Sequence, residues 1–138
     1  MAKIVLVSDA RTVLEELRAV VDDGVNELVE LNDGAQARAA ATAEEPDLVI
    51  ADSQVQSMGG FAVCLDLKLE ASGGRLPAIP TLVLLDRRAD VFLARRAGAE
   101  GFLVKPLDPL RLRRAVTALL AGGTYEDESF KPVTIPAS

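Results

Sequence analysis

The sequence predicts an α/β fold, a parallel sheet with helices on both faces. Two observations carry this. Short apolar runs rich in β-branched residues alternate with segments of helical periodicity. Glycine, proline or an Asp-Gly pair punctuates the changes. Strict alternation needs crossover connections, and right-handed crossovers leave few topologies.

The first strand is KIVLVS, residues 3–8, an apolar run that ends at Asp9. Residues 11–23 follow as a helix with Val13, Leu14, Leu17 and Val21 on one face. VNELVELND, 25–33, is a weaker strand closed by the turn signal Asp33-Gly34. The alanine-rich segment 35–45 favours helix and stops at Pro46 and Asp47. DLVIAD, 47–52, is the third strand, and 61–72 the third helix, stopped by Gly73-Gly74. PTLVLL, 80–85, is a strand with Pro80 at its start, where a missing N–H costs least. A short helix over 89–97 ends at Gly98, and GFLVK, 101–105, is the fifth strand. The last helix, 108–123, has Asp108 as N-cap and Pro109 in its first turn. Its apolar stripe is Leu112, Val116, Leu119 and Leu120. The expected organisation is one domain over 1–121 and a tail over 122–138. The tail is either a disordered end or a segment that packs back through Tyr125 and Phe130.

Composition narrows the function classes. A chain of 138 residues can build a core without metals or disulfides. With no histidine, Ser-His-Asp, Cys-His and phosphohistidine chemistry on this chain are excluded. The single cysteine, Cys64, forms no internal disulfide; it reads as a small buried hydrophobe, compatible with a reducing cytosol. A net charge of −6 argues against nucleic acid or an anionic membrane as the main partner. No apolar run approaches the roughly 18 residues that span a bilayer. The opening residues read as a strand rather than a signal peptide. The expected location is cytoplasmic.

In a parallel sheet, ligands bind beyond the carboxyl ends of the strands. Strand one ends VSDA, strand three IADS and strand five LVKP, so Asp9, Asp52 and Lys105 fall at one edge. Core packing has no use for two carboxylates and an ammonium there. The acids suit a hard divalent cation such as Mg²⁺, and the lysine suits a phosphoryl group.

VLVSDA, DGAQARAAATAEEPDLVIAD, MGGFAVC, RRAGAEGFLVKP and DPLRLRRAV together resemble the receiver domain of bacterial two-component response regulators, over about residues 3–121. The resemblance implies a flavodoxin-like (βα)5 fold with strand order 2-1-3-4-5. It implies that Asp52 accepts a phosphoryl group from a histidine kinase or phosphotransfer protein. Asp9 is then a metal ligand, with the main-chain carbonyl of Gln54 completing the Mg²⁺ site. Lys105 pairs with the phosphoryl group, Lys105-Pro106 is a cis peptide, and Phe102 stands at the aromatic switch position. A downstream protein partner is implied. The face formed by helix four, strand five and helix five is a candidate for a homodimer or for docking.

Several positions depart from the family pattern. Ser8 replaces the first acid of the pair after strand one and leaves a weak metal ligand. Gln56 replaces a loop proline, and Gly59 an aspartate. The hydroxyl position at the end of strand four falls on Leu85, and the small residue after it on Asp86; Thr81 sits too early to serve. Asp86 adds negative charge at the site unless it turns outward to cap the next helix, which is the expectation here. A hydrogen bond to a charged group contributes roughly 1.5–3 kcal/mol. A full population switch needs about 5.5 kcal/mol. Leu85 therefore predicts a damped or rerouted response, and Phe102 beside it reads as core.

Arg95, Arg96, Arg111, Arg113 and Arg114 form either a solvated face or an interface, with Phe92 exposed nearby. Two alternatives stand beside a phosphorylated single-domain receiver. One is a pseudo-receiver, an interaction module that works without phosphorylation. The other is a flavodoxin-like cofactor binder, ranked lower because SDARTVL lacks a glycine-rich phosphate loop.

Overall fold

The computed structural model describes residues 1–55 and 58–127. The strands are β1 (Lys3–Val7), β2 (Glu27–Leu31), β3 (Leu48–Asp52), β4 (Thr81–Leu85), β5 (Gly101–Val104) and β6 (Tyr125–Glu126). The helices are α1 (Arg11–Val21), α2 (Ala37–Glu44), α3 (Gly60–Ser72), α4 (Val91–Arg96) and α5 (Pro109–Leu120). Short 3₁₀ turns lead into α2 and α4. The sheet order is β2-β1-β3-β4-β5-β6 and every pairing is parallel. This is the flavodoxin-like order expected from the sequence, with one short strand added outside β5.

Side chains alternate across the sheet, so each strand feeds two cores. Ile4, Leu6, Ile50, Leu84 and Leu103 pack against Val13, Leu17 and Val21 of α1 and Leu112, Ala115, Val116 and Leu119 of α5. On the opposite face, Val5, Val7, Val49 and Ala51 meet α2 and α3 through Ala37, Ala41, Val63 and Leu67. Val83, Leu85, Phe102 and Val104 continue that face against Cys64 of α3 and Val91 and Ala94 of α4. The expected stripe of α5 is corrected at Leu120, which is exposed; Ala115 takes the inward place.

Local chemistry sets the element ends. Asp108 accepts a hydrogen bond from the Arg111 N–H, and Pro109 sits in the first turn of α5, as the sequence predicts. Asp33 accepts from the Ala35 N–H and opens the turn before α2. That helix ends with Glu45 at φ +48°, a left-handed cap just before Pro46.

β6 comes from the segment beyond α5. Tyr125 and Glu126 pair with Gly101 and Phe102, and the Val104 N–H donates to the buried Asp127 carboxylate at 2.9 Å. Tyr125 packs against the core, whereas Phe130 lies outside the described residues.

Candidate functional site

β3 is buried along its whole length and ends on Asp52, which is 1% exposed. A buried carboxylate needs hydrogen-bond donors, and neighbouring strand ends supply them. Val7 pairs with Ala51, so the next residues, Ser8 and Asp52, meet side by side. The Ser8 hydroxyl donates to Asp52 Oδ2 at 2.9 Å, and Ser8 Oγ in turn accepts the Ala10 N–H at 3.1 Å. The Gln54 N–H folds back to Asp52 Oδ1 at 3.1 Å. Lys105 Nζ reaches the same oxygen at 2.7 Å.

Lys105 follows β5 directly, and its N–H donates to the Leu85 carbonyl at 2.8 Å, which fixes where the side chain starts. The Lys105-Pro106 peptide is cis, as the resemblance implied. Asp52, Lys105, Ser8 and the Gln54 backbone thus form one hydrogen-bonded group. Asp9, the next residue after Ser8, is exposed beside it. The expectation placed on Gln56 falls outside the described residues.

Asp86 corrects an expectation. It does not cap the following turn: the capping position is Arg87, and no side-chain cap bond forms there. Asp86 instead turns inward, with Oδ1 at 2.9 Å from Lys105 Nζ. The physical reason is local charge. Arg87 pairs with Asp90 at 3.0 Å, while a half-buried ammonium beside Asp52 lies within reach of Asp86. Lys105 is therefore shared between two carboxylates. Burial lowers its pKa, but hydrogen bonds and charge from Asp52 and Asp86 outweigh that and hold it above the ordinary lysine value. The sequence carried the signal, since an acid directly after β4 lies at the same sheet edge as Asp52.

Leu85 ends β4 opposite Val104 and is fully buried in the cluster that contains Phe102. Asp52 pairs with Leu84 instead, so the Leu85 side chain belongs to the α3–α4 core. Phe102 is 2% exposed, with the Arg95 guanidinium 5.9 Å from its ring centre. Thr81 lies at the far end of β4, where its hydroxyl donates to the Ile79 carbonyl. Cys64 is buried, and burial pushes its thiol up to about 11.

Gly59 and Gly60, at the start of α3, lie close against the backbone at the end of β3. A Cβ on Gly59 would stand 2.5 Å from the Ser53 carbonyl oxygen, and one on Gly60 would stand 2.8 Å from that of Ala51. Gly59 therefore fits a packing constraint that the family's aspartate would violate in this loop.

Comparison with known proteins agrees with the geometry. The family model for the response regulator receiver domain matches residues 4–117. The chain is 30% identical to the protein PilH of Pseudomonas aeruginosa over 122 residues, covering 88% of this chain and all of that one. It is 31% identical to the response regulator PleD of Caulobacter vibrioides, covering 86% of this chain and 26% of that longer protein. Among solved structures, a LuxR-family two-component response regulator from Aurantimonas superposes with a TM-score of 0.81 at 25% identity, over 94% of this chain and 92% of that one. The receiver domain of a Syntrophus aciditrophicus signal transduction histidine kinase superposes with a TM-score of 0.77 at 26% identity, over 100% and 99%. From the motifs, the sheet order and the buried Asp52–Lys105 pair, now joined by these relatives, it follows that the chain belongs to the response regulator receiver domain family.

Proposed function

We propose that this chain accepts a phosphoryl group on Asp52 from a histidine kinase or phosphotransfer protein and passes the signal on through protein contacts. The observation that carries the reading is the carboxylate at the tip of β3, almost fully buried yet paired with Lys105 at 2.7 Å. In the transfer, one Asp52 oxygen attacks the phosphorus of a phosphohistidine. An O–P bond forms as the P–N bond breaks, and the electron pair leaves with the imidazole nitrogen. Protonation of the other ring nitrogen makes that leaving group neutral. Ser8 and the Gln54 N–H orient the carboxylate, and Lys105 offers its charge to the phosphoryl oxygens.

The donor set fits a weakly held Mg²⁺. Asp9, Asp52 and the Gln54 carbonyl are oxygen donors of the kind that ion takes. Ser8 supplies a neutral hydroxyl that already donates to Asp52 Oδ2, and Lys105 holds Oδ1, so the carboxylate has partners without a metal ion. Among the described residues, no group of three or more acidic, cysteine or histidine side chains forms a tighter cage. Mg²⁺, when bound, neutralises charge on the transferring phosphoryl group.

The receiver unit is taken as residues 1–121, placed in the cytoplasm, with β6 joining its sheet from the tail. No helix among the described residues is long and apolar enough to cross a membrane. Homodimerisation or partner docking is assigned to the α4-β5-α5 face, where exposed Phe92 lies and where β6 covers the outer edge of β5.

The test is incubation with Mg²⁺ and acetyl phosphate or beryllofluoride. A mass shift or spectral change in the wild type, absent in Asp52→Asn, is the expected result. No response at saturating donor, metal and a panel of phosphohistidine proteins would overturn the reading. The burial of Leu85 against Phe102 favours a second reading, an interaction module that works without phosphorylation. Partner binding that is unchanged in Asp52→Asn would establish it.

A further inference from the structure

Among the described residues, Lys105 is the cation that pairs with Asp52, and Asp86 holds the same Nζ at 2.9 Å. The ammonium has three protons to donate, and two already point at carboxylates. The Asp86 side chain is about one-third exposed and serves no helix cap. Its neighbour Arg87 is held by Asp90 through one guanidinium edge, Nε at 3.3 Å and Nη2 at 3.0 Å. Arg87 is thus engaged by Asp90, and Asp86 shares Lys105 with Asp52.

We propose that Asp86 is a positioning residue that competes with an incoming phosphoryl group for Lys105 and so sets the threshold for loading Asp52. The proposal rests on Asp52 as phosphoacceptor. A phosphoryl group brings about −1.5 to −2 charges. With Asp86 also paired to Lys105, the ammonium neutralises them only in part, and the Asp86 carboxylate lies close to the new anion. Both effects oppose loading, and neither depends on the donor.

The probe is beryllofluoride with Mg²⁺, with affinities read by NMR for wild type, Asp86→Asn, Asp86→Ala, Asp86→Glu and Asp90→Asn. Asp86→Asn and Asp86→Ala are expected to bind about tenfold more tightly, equivalent to about 1.4 kcal/mol, with Asp86→Glu returning toward wild type. Unfolding curves check that each variant is folded. Equal affinities for wild type and Asp86→Asn would overturn the proposal while leaving Asp52 as the acceptor. So would an equal gain in Asp90→Asn, which marks a general charge effect. If wild type and all three Asp86 variants fail to respond at saturating probe, the acceptor reading falls and the proposal falls with it.

Discussion

Replacing Lys105 with methionine removes the ammonium and keeps most of the stem. Among the described residues, the Asp52 carboxylate then keeps two neutral donors, Ser8 Oγ at 2.9 Å and the Gln54 N–H at 3.1 Å. Asp86 also loses its partner, but it is partly exposed and regains water. A hydrogen bond to a charged group contributes roughly 1.5–3 kcal/mol. Stripping a buried ion of its partner costs about 3–5 kcal/mol. The surviving donors and the partial exposure of Lys105 place Lys105→Met at the low end, about 3 kcal/mol less stable. Asp52→Asn removes the buried charge together with its need for Lys105, so its effect is expected within about 1 kcal/mol of zero. The double variant then recovers part of the loss, with a coupling of about 2 kcal/mol. Urea unfolding of the four proteins at neutral pH measures this cycle. A cost below about 1 kcal/mol for Lys105→Met, or strictly additive effects, would refute the reasoning. The pH dependence adds a sign. A cation with a raised folded-state pKa contributes fully below the unfolded value, here 10.5, and loses that contribution as pH rises through the higher folded value. The gap between wild type and Lys105→Met should therefore hold from neutral pH to about 10.5 and close above it.

Ser8→Asp puts a second carboxylate where a hydroxyl now donates to Asp52; its melting temperature should fall without divalent cations and recover with Mg²⁺, and its Mg²⁺ affinity by titration should exceed wild type about tenfold. Leu85→Thr opens space beside Phe102 and buries a hydroxyl, so denaturant melts should show a loss of about 2–4 kcal/mol. Gly59→Asp adds a capping residue to α3 yet should destabilise by about 1–3 kcal/mol, because its Cβ meets the Ser53 carbonyl oxygen; a stabilised variant in the same assay would contradict the packing of that loop. Asp127→Ala leaves the Val104 N–H without its acceptor and should cost about 1–3 kcal/mol, with faster amide exchange at Val104 and along β6.

Which parts could be read before folding follows from the range of the forces involved. The buried runs of β1, β3 and β4 are continuous in sequence, and a run apolar on both faces is a local property. The same holds for Asp108-Pro109, where capping chemistry lies within four residues. Boundaries moved where turns tighten: the expected helix over 35–45 begins as a 3₁₀ turn, because Asp33 binds the Ala35 N–H. Leu120 was misplaced because helical spacing alone does not say where the sheet beneath α5 ends.

The sequence by itself determined that Asp52, Asp9 and Lys105 lie at one edge, since parallel strands end on the same side. Tertiary structure decided how the charges share one another. That Asp86 takes Lys105 rather than a helix cap depends on β4 and β5 lying side by side, 20 residues apart in the chain but joined by the Lys105 N–H and the Leu85 carbonyl. That the segment after α5 adds a strand depends on β5 having an open edge, with Val104 offering an N–H to Asp127. Strand ends are fixed by local burial, whereas hydrogen-bonded ion pairs and edge pairing are settled only when distant backbone segments come within a few ångströms, because a hydrogen bond forms only at that distance.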